Sequence, residues 1–147
     1  MNNPLDQFRE IVVADFEFVA RDGERPDVVS LSHCELRSGR KTTLWRDQLG
    51  KMPPYSTSPD TLFVGFFASA EMGCHRSLEW PLPTNILDLY VEFSNEKNGK
   101  RKTPVIKEYG HSLLGALVTY GIEAMGSSEK EGGRELVMRG DQWPAGD

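Results

Sequence analysis

The eight residues Ile11-Val12-Val13-Ala14-Asp15-Phe16-Glu17-Phe18 constrain this chain more than any other stretch. Five of the eight are β-branched or aromatic, so the run reads as a strand buried on both faces in the middle of a sheet. Yet it carries two carboxylates. Side chains two apart on a strand project to the same face, which sets Asp15 and Glu17 side by side at the edge of an apolar core. Charges placed there are costly to desolvate unless something pairs with them. Two answers are open at this point. One is solvent or an arginine, with Arg21, Arg25 and Arg40 as candidates. The other is a divalent cation, and an all-oxygen donor set suits Mg²⁺ or Mn²⁺.

The segments that follow predict partners for this strand. A polar loop over 21–27, with Gly23 and Pro26, leads to a second strand over 28–36. A tight turn at Arg37-Ser38-Gly39-Arg40 leads to a third strand over 41–45, which completes an antiparallel meander. Residues 46–60 contain Pro53, Pro54 and Pro59 and read as a long connection with one helical turn near 47–50. Leu62-Phe63-Val64-Gly65-Phe66-Phe67 is a buried strand. Ser69 is expected to cap a helix from Ala70 to about Glu79, which Trp80-Pro81-Leu82-Pro83 stops. A short strand over 85–89 runs directly into a helix from Tyr90.

Residues 95–102 form a basic loop, either a plain surface turn or part of a patch that contacts a nucleic-acid backbone. Leu113, Leu114, Leu117, Val118, Ile122 and Met125 recur at helical spacing, which predicts an amphipathic helix over 111–125 with a break at Gly121. A further helix is expected over 129–140, capped by Ser127 or Ser128 and weakened by Gly132 and Gly133. The order predicts an α/β fold: one domain over 1–147 with a central mixed sheet (a three-strand antiparallel meander plus parallel strands) and flanking helices. A ribonuclease H-like core has this layout, and other α/β folds share it.

Several classes are disfavoured. No apolar run reaches the roughly 18–20 residues that a membrane helix needs. The start, Met1-Asn2-Asn3-Pro4, lacks the features of a signal peptide, so the expected location is the cytoplasm. Cys34 and Cys74 read as reduced thiols, and each adjoins a histidine, His33 and His75. Neighbours on a strand point to opposite faces, which argues against a Cys/His zinc knuckle. A net charge of −5 does not advertise a nucleic-acid binder, although a carboxylate site holding metal attracts phosphate. The chain has neither a Gly-x-Ser-x-Gly elbow nor a Gly-rich phosphate loop.

Two further acids lie beside buried strands. Glu71 falls in the first turn of the expected helix, where the dipole favours an acid with or without chemistry. Asp88 lies inside an apolar strand, where an acid without partners would be hard to keep. With these in place, the chain resembles the 3′–5′ exonucleases of the DEDD superfamily, in particular the exonuclease domains at the N-terminus of some phage-like family A DNA polymerases. Asp15-Phe16-Glu17 matches the first motif of that family, an Asp-x-Glu on the first strand. Leu62 to Glu71 stands where the second motif belongs, with Glu71 in place of the usual Asp and Ala68-Ser69-Ala70 in place of its polar pair. Asn85-Ile86-Leu87-Asp88-Leu89 is similar to the strand that follows. The resemblance spans about residues 10–143.

That resemblance implies a two-metal phosphodiester hydrolase acting on the 3′ end of a single DNA strand, with a DNA polymerase domain or protein as partner. Asp15 would bridge two Mg²⁺ or Mn²⁺ ions, Glu17 would hold the first and orient water, Glu71 would hold the second, and Asp88 would be a further metal ligand. Phe16, Phe18 and Ser69 are candidates for contact with the strand, although both rings also read as core. The third motif, a Tyr or His followed about four residues later by an Asp, has only partial candidates: His111 with Gly115, Tyr120 with Ala124, and Asp141 or Asp147 without the pattern. The resemblance therefore implies a domain lacking its C-terminal helix, with weakened or absent catalysis. The alternative function is a non-catalytic ribonuclease H-like module that binds nucleic acid or protein.

Overall fold

In the computed structural model, which describes residues 2–122, the β-branched and aromatic run at the start becomes the central strand of a five-strand sheet. Strand β1 spans Glu10–Val19, β2 Asp27–Glu35, β3 Arg40–Trp45, β4 Thr61–Gly65 and β5 Asn85–Asp88. The spatial order is β3-β2-β1-β4-β5. β1 pairs antiparallel with β2, as does β2 with β3, while β1–β4 and β4–β5 are parallel. The change from antiparallel to parallel neighbours falls on β1. A sheet so mixed needs cover on its parallel side, and a crossover helix supplies it. The fold is thus α/β with a mixed sheet and flanking helices, as expected.

Antiparallel partners share a face, so the register fixes where each side chain goes. Asp15 stands opposite Ser32 and Thr43 across the sheet, and the Ser32 and Thr43 hydroxyls lie 3.0 Å apart. Phe16 stands opposite Leu31 on the other face. That face carries the main core, in which Val12, Ala14, Phe16, Leu31 and Phe63 pack against Cys74 and Trp80. Helix α1, Ala68–Ser77, contributes Cys74 to it. On the opposite face Ile11, Leu62 and Val64 pack with Phe8, Val13 and Leu87. A third cluster, Phe93, Ile106 and Ala116 with Phe66, joins helices α2 (Leu89–Lys97), α3 (Pro104–Tyr109) and α4 (Leu113–Thr119).

One polar network is sealed inside the main core. His75 is fully buried, its Nδ1 2.9 Å from the Pro81 carbonyl and its Nε2 2.6 Å from the Tyr55 hydroxyl. A carbonyl only accepts, so Nδ1 carries the proton and Nε2 accepts from Tyr55. Burial pushes the His75 pKa down and keeps the ring neutral. The network ties the proline-rich connection over 46–60 to α1.

Four elements differ from expectation. β4 ends at Gly65, because Phe67 takes a left-handed conformation (φ 69°) and turns the chain. α1 therefore starts at Ala68, and Ser69 lies within its first turn rather than capping it. The amphipathic helix expected over 111–125 is, among the described residues, only α4. Ser112 caps its N-terminus by accepting from the Gly115 N–H, and Gly121 (φ 69°) follows its end. α3 precedes it, started by the Thr103 cap and Pro104, a local signal that the apolar periodicity did not register. Residues 123–147, with the helix expected over 129–140, lie outside the described residues. No helix among the described residues is long and apolar enough to cross a membrane.

Candidate functional site

β1 is twice as long as β4, and the site lies where the shorter strand gives out. Their pairing ends at Val13 with Val64, and β4 stops at Gly65. Beyond that point the β1 edge that faced β4 needs another partner for its backbone. Glu71 supplies it: the Phe16 N–H donates to Glu71 Oε2 at 3.1 Å. A side chain from the first turn of α1 thus reaches into the plane of the sheet, to the peptide that joins Asp15 to Phe16. Gly65 makes room for it. A Cβ at Gly65 would stand 3.3 Å from Glu71 Cγ, tighter than ordinary van der Waals contact.

The electrostatics of Glu71 follow from this position. It is 3% exposed, and its pKa is raised to about 8. Burial is the largest cause, Asp15 contributes next, the Phe16 N–H partly offsets the rise, and Glu17 and Asp88 contribute to it. Every charge acting on Glu71 is another carboxylate, so at neutral pH its carboxyl retains its proton. Asp15 and Glu17 are exposed and share the face opposite Phe16. The sheet therefore brings Asp15, Glu17 and Asp88 within electrostatic reach of Glu71.

Asp88 has a task that the sequence did not reveal. It was expected among the metal ligands. Its carboxylate instead accepts three backbone N–H groups: Oδ1 from Phe67 (2.9 Å) and Tyr90 (3.0 Å), and Oδ2 from Ala68 (3.0 Å). It caps α2 locally, being the residue before that helix, and caps α1 across the sheet. Ser69 was expected to do the latter. Phe67, at the N-cap of α1, has no side-chain cap of its own, and its left-handed backbone costs on the order of 1–3 kcal/mol. The Asp88 carboxylate holds that conformation in place.

The other candidate residues divide by burial. Phe16 is 4% exposed and packs its ring on His75 and Trp80. Phe18 packs against the same cluster, half-buried. Both rings serve the core in this structure, and their expected contact with a strand finds no open face at Phe16. Ser69 is exposed on α1. His111 and Tyr120 both pack edge-on against Phe93 in the helical cluster. Asp141 and Asp147 lie outside the described residues. Two exposed or half-exposed aromatics that the sequence did not single out lie beside Asp88: Phe67 and Tyr90, whose ring centroids are 5.3 Å apart. A Phe-Phe pair after a strand-ending glycine was the one available signal.

Chemically, Asp15, Glu17 and Glu71 offer oxygen donors only, the type that hard divalent cations prefer. In the arrangement seen, no group of three or more His, Cys, Asp or Glu side chains among the described residues is already placed to hold a metal ion. Glu71 can also hold and release a proton near neutral pH. No protein-family model matches the chain, and no curated protein matches it.

Proposed function

We propose that this chain is a ribonuclease H-like domain of the 3′–5′ exonuclease type, which hydrolyses phosphodiester bonds at nucleic-acid 3′ ends with Mg²⁺ or Mn²⁺. The observation that carries the reading is Glu71, buried at the open edge of β1 with its carboxyl against the peptide that joins Asp15 to Phe16. A purely structural cap for one N–H would not require a carboxyl group, and a glutamine would serve it with nothing to ionise among three neighbouring acids. A cation offsets the repulsion that arises once Glu71 ionises, which gives the arrangement a reason.

Asp15, Glu17 and Glu71 are the residues that would hold the ions. Bound divalent ions supply a nucleophilic water at neutral pH and stabilise the leaving oxygen. The chain's own contributions are positional. The Phe16 N–H fixes one oxygen of Glu71, the tightness at Gly65 limits where its side chain can lie, and Asp88 anchors the start of α1, from which Glu71 projects. Glu71 must release its proton to act as a ligand, so cation affinity rises with pH through about 8.

The test is a Mn²⁺ titration followed by melting temperature, and then addition of a 3′-labelled single strand. The expected result is stabilisation by the ion and stepwise shortening from the 3′ end, abolished in Asp15→Ala. Neither stabilisation nor shortening would sink the proposal. Shortening that survives in Asp15→Ala would belong to a contaminant. Stabilisation with strand binding but no shortening would make the domain a binding module.

A further inference from the structure

The loop that follows α2 concentrates positive charge in an acidic chain. Positions 97–107 hold Lys97, Lys100, Arg101, Lys102 and Lys107 and no acid, in a protein of net charge −5. Lys97 is occupied: its Nζ lies 3.1 Å from Glu96 and 5.9 and 5.8 Å from the ring centroids of Phe93 and Tyr120. The ion pairs among the described residues are Arg9–Asp60, Arg46–Asp27 and Lys97–Glu96, so none holds the other four cations. Lys100, Arg101 and Lys102 line a groove of about 130 Å³ together with Ile106 and His111. Like charges crowded around a groove repel one another, and a polyanion relieves that repulsion.

Its place in the fold gives the groove a direction. α2 begins at Asp88, in the acidic site, and ends at Lys97, where the loop starts. Nine residues at about 1.5 Å each put the loop about 14 Å along the helix from Asp88. Aromatic rings stand at both ends of this path: Phe67, 51% exposed, against Tyr90 at the near end, and Tyr120, 53% exposed, beside Lys97 at the far end. Cations together with exposed rings are how proteins hold unpaired strands, by phosphate contact and base stacking. A groove of this kind suits a single strand better than a flat lipid surface.

We propose that the basic segment from Lys97 to Lys107, which comprises the end of α2, the loop over 98–103 and the first turn of α3, is a docking surface for the phosphate backbone of a single-stranded polynucleotide, a few nucleotides upstream of the end held near Asp88. The proposal rests on the exonuclease reading for the direction of the strand, but binding here needs neither metal nor cleavage.

The experiment uses the full chain in EDTA, with fluorescent ten-nucleotide and two-nucleotide oligothymidylates followed by anisotropy across a salt series. Wild type should bind the ten-mer more tightly than the two-mer, with log affinity falling by about 0.7 per contacted phosphate per log unit of salt. The triple variant K100E/R101E/K102E should bind the ten-mer roughly 10-fold or more weakly and with a shallower salt slope, because it removes phosphate contacts. Arg101→Gln should show a smaller change in the same direction, and Lys51→Glu, in the proline-rich connection and outside the groove lining, none. Unaltered melting temperatures confirm that the variants fold. Equal ten-mer affinity and slope in wild type and triple variant would overturn the proposal, as would failure of wild type to bind the ten-mer. Binding to phosphatidylserine vesicles without binding to the ten-mer would overturn it in favour of a membrane surface. Loss of the two readings is separable: binding through the loop with no strand shortening in Mn²⁺ refutes only the nuclease, and shortening with unchanged affinity in the triple variant refutes only the loop.

Discussion

Replacing Glu71 by glutamine tests the physical core of the site without assuming any enzyme activity. Glutamine keeps the volume and an oxygen that can accept from the Phe16 N–H, but it does not ionise. The wild-type carboxyl titrates near 4.5 in the unfolded chain and at about 8 in the fold. The folded state therefore holds this proton more tightly, and the unfolding free energy falls as pH rises from about 4.5 to about 8, then levels off. At 1.36 kcal/mol per pH unit the loss is on the order of 3–5 kcal/mol by pH 9. Near-complete burial removes the usual solvent discount. For a chain of this size that corresponds to a melting-temperature difference on the order of 10 °C. In EDTA, Glu71→Gln should match wild type near pH 4 and exceed its melting temperature increasingly up to pH 9. Adding Mn²⁺ at pH 8 should raise wild type and leave the variant where it was. Melting curves of the two proteins that run parallel between pH 5 and 8 would refute the argument that Glu71 is buried at a cost in charge.

Three further outcomes are expected. Asp88→Ala removes the acceptor for three backbone N–H groups at the starts of α1 and α2, and it should lower stability by about 2–3 kcal/mol in urea unfolding. A loss under about 0.5 kcal/mol would mean that water replaces those contacts. Gly65→Ala sets a methyl group 3.3 Å from Glu71 Cγ, and it should cost about 1 kcal/mol and weaken any Mn²⁺-induced stabilisation, as read by melting with and without the ion. Glu35 at the β2–β3 turn accepts the N–H groups of Ile11, Arg37 and Ser38, and its pKa is held at about 2, chiefly by hydrogen bonds from Ser38. Its stabilising effect is complete above about 4.5 and is lost as pH falls through about 2. Glu35→Gln should therefore melt below wild type at pH 6, with the gap closing toward pH 2.

The legible parts of this protein were those written in short-range pattern. Strand β1 and the meander behind it follow from β-branched runs punctuated by Gly and Pro, and the structure places them within a residue or two of the expected ends. α3 also had a local signal, the Thr-Pro start, but apolar periodicity dominated the reading of that region and concealed it. At Ser69 a good local cap lost to a distant one. The Asp88 carboxylate reaches Ala68 from another strand, and nothing in the neighbourhood of either residue reports that contact.

The sequence by itself determined that Asp15 and Glu17 share one face of a central strand, because a two-residue alternation is a property of any extended chain. It also determined that Phe16 lies on the opposite face. The tertiary structure decided which acids join them and in what state. β4 stops short, β1 runs on, and the vacated edge is closed by Glu71 from a helix 55 residues later in the chain. The same closure buries that carboxyl among like charges and lifts its pKa, while Asp88 is drawn into capping by the start of the same helix. Hydrogen-bond needs created by unequal strand lengths arise only once the strands are paired, and for that reason the roles of Glu71 and Asp88 could not be read from the order of residues.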